Sequence, residues 1–136
     1  MGNVNLLAVF AGAIVFFALG ALWYGPLFGK AWKRAIGFNG RDLPGPSVRH
    51  PAWVVMTLAF AFELLIALTL GHQFAMTGPS PRAMMMIAVG YGAMLMVPAL
   101  GIHYLFQMRP GKLFAIDAGY FIIGMALMGA VFVSLS

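Results

Sequence analysis

The polar residues of this chain fall into clusters, and four apolar stretches lie between them. Residues 5–24, 52–76, 82–108 and 113–134 carry very few charged side chains. At about 1.5 Å of rise per residue, each is long enough as a helix to cross the ~30 Å hydrocarbon layer of a bilayer. Asn3 and Asn5 suit the cap of the first helix. Gly25-Pro26 predicts its end or a sharp kink, because proline lacks an amide proton and restricts the residue before it. Residues 27–38 then interleave Lys30, Lys33 and Arg34 with Leu27, Phe28, Ala31 and Trp32, the pattern of a short helix lying in the membrane interface. Gly40, Pro44, Gly45, Pro46 and Pro51 mark a turn-rich connection to the second span.

The turn 77–81 is short enough to make spans two and three antiparallel neighbours. Span three is slightly overlong, which predicts a tilt or a bend at Pro98. Arg109-Pro110-Gly111-Lys112 turns the chain into span four. The expected fold class is therefore all-α, a polytopic membrane protein of four transmembrane helices in one domain, with an interfacial helix after the first.

Composition agrees with that pattern. The 136 residues are 62% hydrophobic and 8% charged, against about 25% charged in a typical soluble domain. There is no cysteine, so disulfides and thiolate metal sites are excluded. The formal charge of +5 suggests nucleic acid until its location is considered. Seven of the eight Lys and Arg residues lie in the connections after spans one and three, leaving Arg82 alone on the other side. Such an asymmetry places the basic connections in the cytoplasm and both termini outside. Membrane lipids, and no nucleic acid, are the expected partners of the basic residues.

Three polar residues inside the spans are candidates for chemistry. Glu63 lies about 10 residues, or roughly 15 Å, into span two, close to the bilayer midplane. A carboxylate there is costly to ionise, so it should face other helices or water. Its functional reading is a site for a proton or small ion; its plain reading is an interhelical hydrogen bond. Near the cytoplasmic end, His103 falls on one face of span three with Gly92, Met96, Ala99 and Gln107. Asp117 shares a face of span four with Tyr120, Gly124 and Met128. The two helices are joined by a tight turn, so Asp117 is expected to pair with His103, Arg109 or Lys112. The three histidines are scattered and the methionines are ordinary apolar filler, so neither a metal site nor a cofactor is expected.

The run Phe17-Ala18-Leu19-Gly20-Ala21-Leu22-Trp23-Tyr24-Gly25-Pro26-Leu27-Phe28-Gly29-Lys30-Ala31-Trp32 resembles the N-terminal signature of a bacterial family of small membrane proteins known as domain of unknown function 1761. Lys112 to Tyr120, followed by Met128-Gly129-Ala130, is similar to that family's last span. The resemblance implies a four-span bundle in the bacterial inner membrane and assigns no catalytic residue. Trp23, Tyr24, Gly25, Pro26, Lys30 and Trp32 are expected to form an interfacial elbow. Four short spans enclose little volume, so a homo-oligomer is expected, with any route for a small ion or molecule between protomers. The leading functional expectation is a small transporter or channel with Glu63 on its path. The alternatives are a non-transporting accessory protein and a lipid-binding enzyme using His103 and Asp117. Reporter fusions to the N- and C-termini should both read out as non-cytoplasmic; a cytoplasmic signal from either would overturn the topology.

Overall fold

A computed structural model describes residues 3–35 and 51–136. The expected turn-rich connection, and the last residues of the expected interfacial helix, lie outside the described residues. Among the described residues, five α-helices and two π-helical turns build four spans, and a sixth, short α-helix follows the first span. The first is α1 (Leu6–Leu22) continued by a π turn (Trp23–Leu27), followed by the short α2 (Gly29–Ala35). The second is α3 (Ala52–Thr77). The third is α4 (Pro81–Tyr91), a π turn (Gly92–Met96) and α5 (Val97–Phe106). The fourth is α6 (Gly111–Leu135). The four are long and apolar enough to cross a membrane, and the chain is a multi-pass membrane protein.

Local chemistry sets the helix ends. Asn5 caps α1 by accepting the Ala8 amide at 3.1 Å, and its side-chain amide donates to the Leu135 carbonyl at 3.0 Å. That second bond ties the start of α1 to the end of α6. Gly78 closes α3 at φ 56°, a left-handed conformation that favours glycine. Two residues later Ser80 caps α4 by accepting from Ala83, with Pro81 in the first turn, where a missing amide proton costs nothing. At the end of α5, Met108 adopts φ 55°. The Met108 amide donates to the Leu105 carbonyl and the Arg109 amide to the Tyr104 carbonyl, a Schellman closure.

Both proline-marked irregularities differ in detail from the sequence expectation. Span one does not stop at Tyr24. The Phe28 amide reaches back five residues to the Trp23 carbonyl at 2.8 Å, so the wider turn carries the helix past Pro26. In span three the irregularity precedes Pro98, where the Val97 amide bonds the Gly92 carbonyl. Proline disrupts the turn before it, because it supplies no donor and its ring crowds the carbonyl four residues back. Each π turn inserts one extra residue into the helical register.

Packing is concentrated on α1 and α6. α1 lies against α3 and α6, and α6 also packs on α4, α5 and α2. The pair joined by the short turn, α3 and α4, makes only slight contact along its length. Close packing follows the glycines, not the loop. An added Cβ on Gly12 would approach the Met128 side chain, one on Gly124 the Phe16 ring at 2.8 Å, and one on Gly119 the Trp23 ring at 2.9 Å. Large side chains of one helix thus seat in glycine gaps of the other, as membrane helices require when association depends on close van der Waals contact. The outward faces are apolar, with Phe106 86% exposed. The hydroxyls of Thr57, Thr69 and Thr77 donate to their own i−4 carbonyls, so none of these three hydroxyls is a bare donor toward lipid. Of α2's described side chains, Ala31 and Trp32 pack on the core while Lys30 and Arg34 are exposed.

Gly129 gives a sharp test of this packing. A Cβ there would lie 2.7 Å from the Ala88 Cβ, which is fixed to the α4 backbone and cannot swing away. Gly129→Ala should destabilise the protein by about 1–3 kcal/mol through overpacking. Gly90→Ala, on the same bundle but with nothing within 4 Å, should be neutral or stabilise by up to about 1 kcal/mol. Unfolding in detergent–lipid mixtures measures both.

Candidate intramembrane polar site

Glu63 lies near the middle of α3 on its packed stripe, with Ala67, Leu70, Gly71 and Phe74. This stripe faces the bundle, so Glu63 is only 8% exposed. The Tyr120 hydroxyl of α6 lies 2.7 Å from Glu63 Oε1 and 3.2 Å from the Phe16 carbonyl of α1. Glu63 Oε2 is buried without a hydrogen-bond partner. Room for the phenol comes from Gly20, whose added Cβ would stand 2.9 Å from the Tyr120 oxygen. The Phe16 ring meets Tyr120 edge-on at 5.0 Å between centroids. Tyr120 therefore joins three spans at one atom.

A second carboxyl lies one turn earlier on α6. Asp117 is 6% exposed. The Tyr24 hydroxyl donates to Asp117 Oδ1 and the Tyr104 hydroxyl donates to Asp117 Oδ2. Beside it, Trp23 Nε1 donates to the Ile116 carbonyl at 3.0 Å. The Tyr24 ring packs on Tyr120 and on Trp32, both at 5.3 Å between centroids. The first π turn thus points two consecutive residues, Trp23 and Tyr24, at the same stretch of α6. The expected elbow is in this way bolted to span four by Trp23 and Tyr24, while Gly25, Pro26 and Lys30 are exposed.

The expected partners of Asp117 are corrected by this geometry. His103 is exposed, Arg109 Nε donates to Gln107 at 3.2 Å, and the two phenols occupy both Asp117 oxygens. The physical reason is the second π turn. An unbroken α-helix would place His103 below Gly92, Met96 and Ala99. The extra residue at Gly92–Met96 rotates everything after it, so Val97, Leu100, Gly101 and Tyr104 turn inward while Pro98, Ala99 and His103 turn outward. Tyr104, which the periodicity passed over, takes the place expected of His103. The usable signal was its phenol, since a tyrosine hydroxyl set among apolar helices needs an acceptor.

Among the described residues, no three His, Asp or Glu side chains converge as metal ligands. An open pocket lies between the ends of α1, α3, α4 and α6, lined by Asn3, Asn5, Gly71, Phe74, Met84 and Phe132 among others. Its lining includes neither carboxyl.

The phenol clamp on Asp117 should be measurable. Tyr24→Phe and Tyr104→Phe should each lower stability by about 1 kcal/mol, the scale of interhelical polar contacts in membranes. In double-mutant cycles each should couple to Asp117→Asn, whereas His103→Ala should show no coupling to Asp117.

No curated protein and no solved structure matches this chain. A family model described as "Protein of unknown function (DUF1761)" matches residues 7–133, which takes in all four spans, both carboxyls and the three tyrosines around them. The chain belongs to that family of proteins of unknown function.

Proposed function

We propose that the protein is a small transporter or channel-like protein of a bacterial inner membrane, acting as a homo-oligomer with Glu63 on the route of a proton or small ion. The observation that carries this reading is the buried, mid-span carboxyl with one oxygen unpartnered. A polar group left unsatisfied in a membrane interior is costly, and groups kept there despite the cost are by default functional. Glu63 is 8% exposed and bonded to Tyr120 within one chain. Access to it therefore requires α3 to move against α1, or a second copy to complete the route. Slight contact between α3 and α4 leaves α3 held mainly by α1, which favours the first. The basic connections, including the exposed Lys30, Arg34, Arg109 and Lys112, face the cytoplasm and anionic headgroups, with both termini outside.

A second reading is a non-transporting accessory protein whose polar residues hold the helices together. The four hydrogen bonds along the seam between span one and α6, from Asn5, Trp23, Tyr24 and Tyr120, favour it. A lipid-binding enzyme built on His103 and Asp117 loses its pair, because His103 faces away from Asp117.

Liposomes holding the full chain separate the first two readings. Proton- or cation-linked flux should appear with the native protein and be lost in Glu63→Gln. Flux unchanged by that substitution, or absent from the native protein under every imposed gradient, overturns transport in favour of the accessory reading.

A further inference from the structure

We infer that the ligand of Glu63 is a proton, held in a chain of two hydrogen bonds that runs from the carboxyl to the Tyr120 oxygen and on to the Phe16 carbonyl. This deepens the preceding reading by naming what the site takes, and it rests on hydrogen counting. Tyr120 has one hydroxyl hydrogen but lies within hydrogen-bond distance of two oxygens, Glu63 Oε1 and the Phe16 carbonyl. Both contacts become hydrogen bonds together only when the carboxyl carries a hydrogen and donates it to the phenol. Tyr120 then gives its own hydrogen to Phe16. With Glu63 ionised, Tyr120 serves one acceptor, and the carboxylate keeps Oε2 bare inside the bundle. A protonated carboxyl leaves there only a neutral acceptor, which costs far less than an uncompensated charge.

The surroundings exclude a metal-cation cage. A hard cation takes about six or more oxygens, whereas among the described residues Glu63 has one side-chain partner, the Tyr120 phenol, and is flanked on its own stripe by Ala67. α1 offers no ionisable side chain over Leu6–Leu22. α6 offers Tyr120, and one turn away Asp117 is engaged by Tyr24 and Tyr104. The proton balance is simple. Release of the Glu63 proton to water leaves a carboxylate, and the Tyr120 hydrogen swings from the Phe16 carbonyl to that carboxylate. Proton loss thereby trades an α6–α1 bond for a stronger α6–α3 bond, which couples the bound proton to helix packing.

Infrared difference spectroscopy on the full chain in lipid nanodiscs tests this. At neutral pH the native protein should show a protonated-carboxyl C=O band that disappears in Glu63→Gln. In Tyr120→Phe the band should persist but shift, because its hydrogen-bond acceptor is gone. Absence of the band at neutral pH, or a band indifferent to Tyr120→Phe, overturns the inference. A band of the expected behaviour in a protein without flux supports the bound proton and overturns transport, so the two readings fail separately.

Discussion

The seam between α1 and α6 holds the rest of the bundle in place, and its strength comes from aromatic side chains seated in glycine gaps. Phe16 fills the gap at Gly124, Trp23 the gap at Gly119, and Tyr120 the gap at Gly20. The exchange is reciprocal, since each helix supplies both rings and gaps. In lipid, burial of apolar surface gives helices no net reason to associate, so close contact and polar bonds must do so. Here the same residues provide both. Trp23 packs against Gly119 and donates to the Ile116 carbonyl, while Tyr120 packs against Gly20 and reaches Phe16 and Glu63. α3 and α4 then attach to opposite partners of this seam, α3 to α1 and α4 to α6, and scarcely touch each other.

Irregular backbone serves the same seam. A regular α-helix brings residues three or four apart onto one face, and consecutive residues diverge. Yet Trp23 and Tyr24 both address α6, one at the Ile116 carbonyl and the next at Asp117. The π turn beginning at Trp23 widens the helix where this occurs and also accommodates Pro26. In span three a similar turn rotates Tyr104 inward, and the Schellman closure then fixes its carbonyl at the helix end. Asp117 is thus gripped from two spans, each of which departs from α-helical geometry next to a proline.

Much of this was legible in the sequence. Apolar length gave the four spans, and Gly12, Phe16, Gly20 and Trp23, three or four residues apart, lie on the face of span one that packs on α6. The stripe Asp117, Tyr120, Gly124 and Met128 marked its counterpart, and all four of those residues are buried. Glu63 stood out because a carboxyl at mid-span has few cheap explanations. The partner of Asp117 was not legible, because face assignment assumed a constant helical period through Gly92–Met96. One inserted residue there exchanges His103 for Tyr104. Sequence periodicity carries a register only as far as the next backbone irregularity, and here one such turn contains Pro26 and the other directly precedes Val97-Pro98.

The two carboxyls, Glu63 bonded to Tyr120 from α3 and Asp117 one turn before Tyr120 on α6, are equipped for different work. Asp117 has a phenol on each oxygen, from the first and third spans, so both oxygens are partnered and the carboxyl bridges three spans. Glu63 has one phenol for two oxygens, and that phenol is shared with a backbone carbonyl. A carboxyl with a phenol on each oxygen has neither oxygen bare, so a further hydrogen brings it less. A half-served one gains from acquiring a hydrogen, and the shared phenol turns that gain into a choice between α1 and α3. Rigidity at Asp117 and choice at Glu63 belong together: a proton-dependent shift of α3 has a defined direction only if α1, α6 and the third span stay fixed as its frame.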